Sequence, residues 1–288
     1  HLARVGAALD ERDAAVLVAN SRALPCGPRL SVGHDAVRIE GQAPRAVFVR
    51  ALPPRHPGFV VDAALDREQR RQQENLGGAA RDAWGAALEQ LSLEIPVLNP
   101  PRYGTFEQQK PLQLIEAAAL GLRVPRWCVT NDPETAEDFA REVGDAIRKP
   151  VRQGDLTRAF SATRAQIVAE GPQLLQARVR GPNLRVTLLD RRVLSAVRLG
   201  GLKALDYRAD PVYQRGETRY EPVELDEAIV EQLGRLASRL SLRFAGVDLK
   251  QTDEGFVFLE MNAAPAWLEI EDQTDASITA AVADTLLR

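Results

Sequence analysis

Apolar positions along this 288-residue chain switch between a spacing of about 3.6 and a spacing of 2, and the switches mark its elements. Residues 3–12 carry the helical spacing. Ala15-Val-Leu-Val-Ala19 reads as a buried strand, and Ala46-Val-Phe-Val-Arg50 as another, ending at Pro53-Pro54. The helical period returns over 66–92 as one long stretch. The run from Leu91 to Leu98 then meets Asn99-Pro100-Pro101, a firm stop because proline has no N–H to donate and fixes its own φ. Strands alternating with helices give an α/β pattern. Domains of this type begin with a strand, whereas this chain opens inside its first helix. The first strand is therefore expected to be missing from the sequence or shed by the protein. Residues 99–106 are the candidate linker to the remainder of the chain.

Beyond the linker the pattern predicts a helix over 112–119, a strand Ala146-Ile-Arg-Lys149 closed by Pro150, a helix over 223–240 and an amphipathic closing helix over 277–287. Val223, Leu225, Ile229, Val230, Leu233, Leu236 and Leu240 give the third of these its core face. Two short apolar runs, 244–250 and 256–262, flank Thr252-Asp253-Glu254-Gly255 and read as a β-hairpin. Side chains alternate faces along a strand, so Glu260 and Asn262 project to one side, and Asp248 can lie opposite them on the neighbouring strand. Two carboxylates and an amide oxygen then converge, the hard-oxygen set that Mg²⁺ takes together with waters and phosphates. An ordinary hairpin with a solvated polar face would carry the same three residues. An acid inside the apolar run Phe256 to Met261 favours the functional reading, because an unpaired carboxylate there would be costly.

Composition narrows the class. Hydrophobic residues make up 45% and charged residues 27%, as in soluble globular proteins, and 288 residues suffice for two or three lobes. A net charge of −3 argues against nucleic acid or an acidic membrane as the main partner. No apolar run reaches the roughly 18 residues of a membrane span. No secretory signal is visible, and because His1 is not a natural start, an original N-terminus is expected to have been trimmed. Cys26 and Cys128 lack any C-x-x-C context and read as free thiols of a reducing cytosol, hence a cytoplasmic protein. His1, His34 and His56 show no metal-ligand spacing. Lysine is rare in this arginine-rich chain, occurring only as Lys110, Lys149, Lys203 and Lys250. An ammonium is a compact point charge suited to phosphate oxygens, and a chain that keeps it in so few places is expected to need it there. No Cys/His or Ser/His nucleophile constellation is present.

The order Asp248, then Phe258-Leu-Glu260-Met-Asn262, then Pro265 and Trp267 resembles the C-terminal signature of the ATP-grasp ligases. Within that superfamily it is most similar to RimK-like glutamate ligases and to the microviridin-type (graspetide) peptide ligases. Arg50 with Pro53-Pro54, Asn99-Pro-Pro, Lys110-Pro-Leu-Gln-Leu, Gly121-Leu-Arg-Val-Pro125 and Val129-Thr-Asn-Asp-Pro133 extend the similarity over nearly the whole chain. The resemblance implies an α/β ATP-grasp fold with a pre-ATP-grasp domain at 1–105, a central lobe at 106–172 and a C-terminal lobe at 173–288. It implies Asp248, Glu260 and Asn262 as ligands of one or two Mg²⁺, with Mn²⁺ as a substitute, and Lys110 and Lys149 on the α- and β-phosphates of ATP. Gln176, Ala177, Arg178 and Val179 would hold adenine, chiefly through backbone. Arg185 and Arg208 would stand at the γ-phosphate and acyl phosphate. The implied activity joins a carboxylate donor to an amine or hydroxyl acceptor, on a peptide, protein or amino acid, with a homo-oligomer left open.

Three departures from the family pattern stand out. Residues 151–165 contain a single glycine where a glycine-rich lid is usual, so Arg152, Thr157, Arg158, Ser161 and Thr163 either close over phosphates or form a polar loop that touches nothing. Ala177 replaces the usual acid. Asn262-Ala263-Ala264-Pro265 lacks the usual glycine, which limits close backbone approach. A small-molecule kinase and a non-catalytic nucleotide- or peptide-binding protein therefore remain as alternatives. A ligase releases phosphate only when both substrates are present, a kinase needs one, and a binding protein releases none.

Overall fold

Asp66 starts the longest helix by accepting a hydrogen bond from the Gln69 N–H while the Gln69 side chain returns to the Asp66 N–H, a reciprocal cap. The computed structural model in which this is seen describes residues 1–20, 28–33, 36–50, 66–100, 109–151 and 156–288. Cys26, His34, Pro53-Pro54, His56, Arg152 and linker residues 101–106 lie outside the described residues. The chain divides into two compact units, residues 1–104 with 279–288, and residues 105–278.

The first unit contains α1 (Leu2–Asp10), β1 (Leu30–Val32), β2 (Val37–Ile39), β3 (Val47–Phe48), α2 (Arg67–Leu91) and β4 (Val97–Leu98). Trp84, Ala87, Leu88 and Leu91 on α2 pack with Val37, Ile39 and Val97. Strands β1 and β2 are antiparallel, and β3 and β4 are parallel. Ala15–Ala19 is not the buried strand its composition predicts. It forms no ladder among the described residues, and Val16, Leu17 and Val18 are 39%, 51% and 62% exposed. Strand propensity describes fit to a pleated surface, and here no neighbouring strand supplies that surface.

The second unit holds two antiparallel sheets. Helix α3 (Lys110–Ala119) precedes β5 (Trp127–Thr130), α4 (Pro133–Val143), β6 (Ala146–Lys149), β7 (Arg158–Phe160) and β8 (Gln173–Ala177), with sheet order β5-β8-β6-β7. Phe139, Phe160, Val168 and Leu175 are buried in its core. Next come β9 (Asn183–Leu189), β10 (Arg192–Gly200), β11 (Arg219–Pro222), α5 (Glu227–Arg239), β12 (Phe244–Thr252) and β13 (Gly255–Asn262), with order β11-β10-β9-β12-β13. Helix α6 (Leu268–Gln273) closes this unit, and α7 (Ile278–Leu286) belongs to the first unit from Thr279 on. A lobe boundary at 172/173 would cut β8 from its sheet. Because β8 pairs with β5 on one side and β6 on the other, the change of sheet falls after Ala177. The helix read over 223–240 begins only at Glu227, since the Val223 N–H donates to the Ala196 carbonyl and prolongs the strand region.

The predicted hairpin forms in register: Asp248 faces Glu260 and Gly246 faces Asn262, and a bulge shifts the next pair to Leu249 and Phe258. Gly246 allows the chain after Asn262 to pass close by, because a Cβ there would lie 2.6 Å from Pro265 Cβ. That loop leads to Trp267, fully buried with its ring edge-on to Phe244 at 5.3 Å. Gly246→Ala should therefore destabilise the protein by about 1–3 kcal/mol through overpacking. The check is urea unfolding followed by tryptophan fluorescence, in which an unchanged midpoint would mean that Pro265 yields at no cost.

Candidate active site

The sheet order places β12 between β9 and β13, so three residues line up across it: Arg185, Asp248 and Glu260. Two pairs further along are Thr187, Gly246 and Asn262. By strand alternation these two rows share a face, which puts Asp248, Glu260 and Asn262 together on it. The Arg185 Nε donates to Asp248 Oδ1 at 2.9 Å, and one guanidinium nitrogen lies 2.8 Å from the same oxygen. That nitrogen also donates to the Tyr207 hydroxyl, and the guanidinium carbon sits 5.3 Å from the Tyr207 ring centroid. Lys110, at the start of α3, brings Nζ to 3.3 Å from Glu260 Oε2. Lys149 ends β6 and is likewise buried.

Burial and pairing set opposite protonation tendencies for the two acids. Asp248 is pushed above its ordinary pKa by burial first and by the Glu260 charge, against the pull of Arg185. Burial also acts to raise Glu260, but Lys110 and then Lys149 outweigh it and hold this carboxyl low. The Lys149 ammonium is held below its usual value by burial, with Lys110 adding to the effect and Glu260, Asp248 and Asp206 opposing it. For Arg185, burial is the largest influence and disfavours the charge, yet Asp248 and Tyr207 together raise its pKa.

These groups border a cleft of about 340 Å³ whose walls include Lys110, Lys149, Gln176, Ala177, Arg178, Val179, Arg208, Asp248 and Glu260. Arg185 and Asn262 are not on its wall. Arg185 reaches the cleft through its partners Asp248 and Tyr207, which are. Gln176 is buried, and its side-chain amide nitrogen and oxygen both lack hydrogen-bond partners. The neighbouring backbone is less open than the sequence suggests, because the Ala177 N–H donates to the Arg126 carbonyl and the Arg178 N–H to the Asp145 carbonyl. Among the described residues only the Val179 N–H of these three has no backbone acceptor. The expected adenine contact over 177–179 thus narrows to one backbone donor beside an unpaired amide.

Arg208 is held by Asp206, with its Nε and one guanidinium nitrogen at 2.9 and 2.6 Å from the two carboxylate oxygens. Asp206 also accepts from the Thr157 N–H at 2.8 Å and so ties the loop before Arg208 to the middle of the segment 151–165. Asp210, buried, accepts from the N–H groups of Lys203, Ala204 and Val212 and shapes the same loop. Ser161 and Thr163 bond to each other. Residue-by-residue reading of the sequence passes over Asp206, Tyr207 and Asp210. The available signal is an aspartate one residue before each short turn, where a carboxylate caps free N–H groups. Glu269 and Glu271 lie in the first turn of α6, where acids suit a helix start.

A convergence of buried cations, carboxylates and an amide beside an unpaired glutamine is matched by a known family: residues 110–286 align with the RimK-like ATP-grasp domain. The chain belongs to that family. It is 26% identical over 219 residues, 69% of its length and 72% of the relative's, to "Tetrahydromethanopterin:alpha-L-glutamate ligase" of Methanocaldococcus jannaschii. It is 33% identical over 112 residues to "Probable alpha-L-glutamate ligase" of Rhodopirellula baltica, a match spanning 39% of this chain but 27% of that relative. The solved structure of ATP-grasp ligase PsnB with a phosphomimetic variant of minimal precursor, Mg and ADP superposes with a TM-score of 0.84, 29% identity, and coverage of 100% of this chain and 94% of that one. The fold is accordingly that of the ATP-grasp ligases. Among the described residues no helix is long and apolar enough to cross a membrane.

The residues fit the ligands such ligases use. The orphaned Gln176 amide offers a donor and an acceptor to a nucleobase edge, and the buried ammonium groups of Lys110 and Lys149 suit phosphates. No cluster of three His, Cys, Asp or Glu side chains forms a metal site among the described residues. A hard cation would have to combine Asp248 and Glu260 with the Asn262 amide and phosphate oxygens, as Mg²⁺ does.

Asp206 supplies a prediction about pH. Burial acts to raise its pKa, but the hydrogen bonds from Arg208 and Thr157 hold it at about 2 against an ordinary 3.8. A folded-state pKa below the unfolded one contributes stability above the unfolded value, which is lost as pH falls toward the folded value. Asp206 should thus contribute about 2 kcal/mol above pH ~4 and progressively less down to pH ~2. Urea unfolding of wild type and Asp206→Asn should show a stability gap that narrows across that window. A gap independent of pH would show that the carboxylate charge is not what holds the loop.

Proposed function

We propose that this protein is an ATP-dependent carboxylate–amine ligase that works through an acyl phosphate and takes a peptide as substrate. The observation that carries the reading is the pairing of buried cations with the carboxylates of Asp248 and Glu260 on the wall of the cleft, which an unpaired amide shares. The PsnB structure, with its precursor, Mg and ADP, supports a peptide as the substrate class. A carboxylate oxygen of the substrate attacks the γ-phosphorus of ATP and ADP leaves. The nitrogen of an amine, or the oxygen of a hydroxyl, then attacks the acyl carbon, phosphate leaves, and the nucleophile loses its proton.

In this scheme Lys110 and Lys149 hold phosphate oxygens, Arg185 and Arg208 face the charge that develops during transfer, and Gln176 and the Val179 N–H orient the base. Asp248, Glu260 and Asn262 hold Mg²⁺, which neutralises phosphate charge. No protein nucleophile is required, so the chain's contribution is positioning and charge stabilisation.

Incubation with ATP, Mg²⁺ and peptides carrying glutamate and lysine should give ADP, phosphate and a product lighter by one water per bond formed. Hydroxylamine should trap the activated carboxylate as a hydroxamate. Glu260→Gln should lower turnover roughly 100-fold or more while leaving the fold intact. A stable phosphorylated product without a new amide or ester would overturn the ligation step. Turnover with free glutamate in place of a peptide amine would move the substrate class toward that of the glutamate ligases.

A further inference from the structure

Strand β13 carries Glu260 and Asn262, yet among the described residues it is the edge of its sheet, with β12 on one side and no strand on the other. An edge strand presents unpaired N–H and C=O groups and is the part of a sheet most free to shift. Two groups from earlier in the chain cover this edge. The Phe258 N–H donates to the Arg123 carbonyl at 2.8 Å. At Met261, between Glu260 and Asn262, the Gln113 amide does what a neighbouring strand would do: its Nε2 donates to the Met261 carbonyl at 2.9 Å, and its Oε1 accepts the Met261 N–H at 2.8 Å. Phe258 and Met261 are three residues apart, so without an irregularity their N–H groups would point in opposite directions. The bulge beside Leu259 brings both to the outer edge.

Gln113 is 1% exposed and stands one turn after Lys110 on α3, the residue that pairs with Glu260. One helical turn therefore grips the same strand twice, by charge at Glu260 and by a two-point amide bond at Met261. We propose that Gln113 is a positioning residue for the metal-binding acids. By fixing the backbone between Glu260 and Asn262 it sets the distance of their oxygens from Asp248 and from the phosphate-holding Lys110. This assignment rests on the proposed Mg²⁺–nucleotide site and adds to it the element that fixes its geometry.

The test is calorimetric titration of ADP into the whole protein, with and without Mg²⁺. Wild type is compared with Gln113→Met, which removes both bonds at similar volume, and Gln113→Glu, which keeps the acceptor for the Met261 N–H but not the donor. The gain in ADP affinity that Mg²⁺ provides should fall about tenfold in Gln113→Met and by less in Gln113→Glu, as for groups that orient metal ligands. Affinity without Mg²⁺ should stay within about twofold. Equal loss with and without the metal would show that Gln113 merely supports the fold, and an unchanged Mg²⁺ gain would show that it does not position the acids; either overturns the proposal. If Gln113→Met does not fold, the partial effect in Gln113→Glu decides. A wild type with no Mg²⁺ gain at all would refute the metal site itself, and the Gln113 role with it, whereas a gain present in wild type and unaltered in both variants refutes only the role of Gln113.

Discussion

The largely buried ionic row through Lys110, Glu260, Asp248 and Arg185 is what the rest of the second unit is arranged to hold. Charged groups lose several kcal/mol each on leaving water, and they persist in an interior only when paired and hydrogen-bonded. Here the pairing runs across strands: Arg185 on β9 holds Asp248 on β12, whose cross-strand neighbour Glu260 on β13 is held by Lys110 on α3. Lys149, from the other sheet, senses Glu260, Asp248 and Asp206. With Lys149 added to the row, three buried cations thus meet the buried Asp248 and the half-buried Glu260, while Arg208 is matched by Asp206. The surplus is positive and faces a cleft, the charge balance that a phosphate chain entering with a divalent cation would use. The raised Asp248 and lowered Glu260 follow from the same arrangement, because only Glu260 has two ammonium neighbours.

Holding such a row requires close backbone approaches, and side-chain-free positions occur where they are needed. Gly246 lies two pairs from Asp248 and lets Pro265 settle against β12. Gly181 has a φ of +128° and an added Cβ would fall 1.9 Å from the Gln251 carbonyl, so the turn into β9 can close only on glycine. Its carbonyl accepts from Lys250, which fastens that turn to β12. The loop after Asn262 lacks glycine, and the close contact there is provided instead by the glycine on the strand beneath it.

Much of this is legible in the residues alone, and the misses share a cause. The hairpin and the shared face of Asp248, Glu260 and Asn262 follow from alternation over neighbouring residues, and the observed register agrees. The long helix over 66–92 follows from its period, and the observed helix Arg67–Leu91 with Asp66 as its cap agrees. Ala15–Ala19 has the composition of a strand, but whether a strand forms depends on a neighbour to pair with. The last strand of the first sheet falls on the wrong side of a lobe boundary at 172/173, because β8 is indistinguishable from the strands after it until its partners β5 and β6 are known. Gln113 lies within a family-like run and Asp210 before a short turn, but their roles, like that of Tyr207, become visible only through what they touch.

The sequence by itself determined the α/β and antiparallel segments, the three oxygen donors on one strand pair and the few lysines kept in an arginine-rich chain, because these depend on periodicity, turn chemistry and residue type over short stretches. Tertiary structure alone decided which cation neutralises which acid, that the Gln176 amide is left unpaired and that Gln113 closes the edge at Met261. Those contacts join residues as far as 63 and 148 positions apart, and no local pattern encodes which distant groups the packing of two sheets and a helix will bring within hydrogen-bond reach.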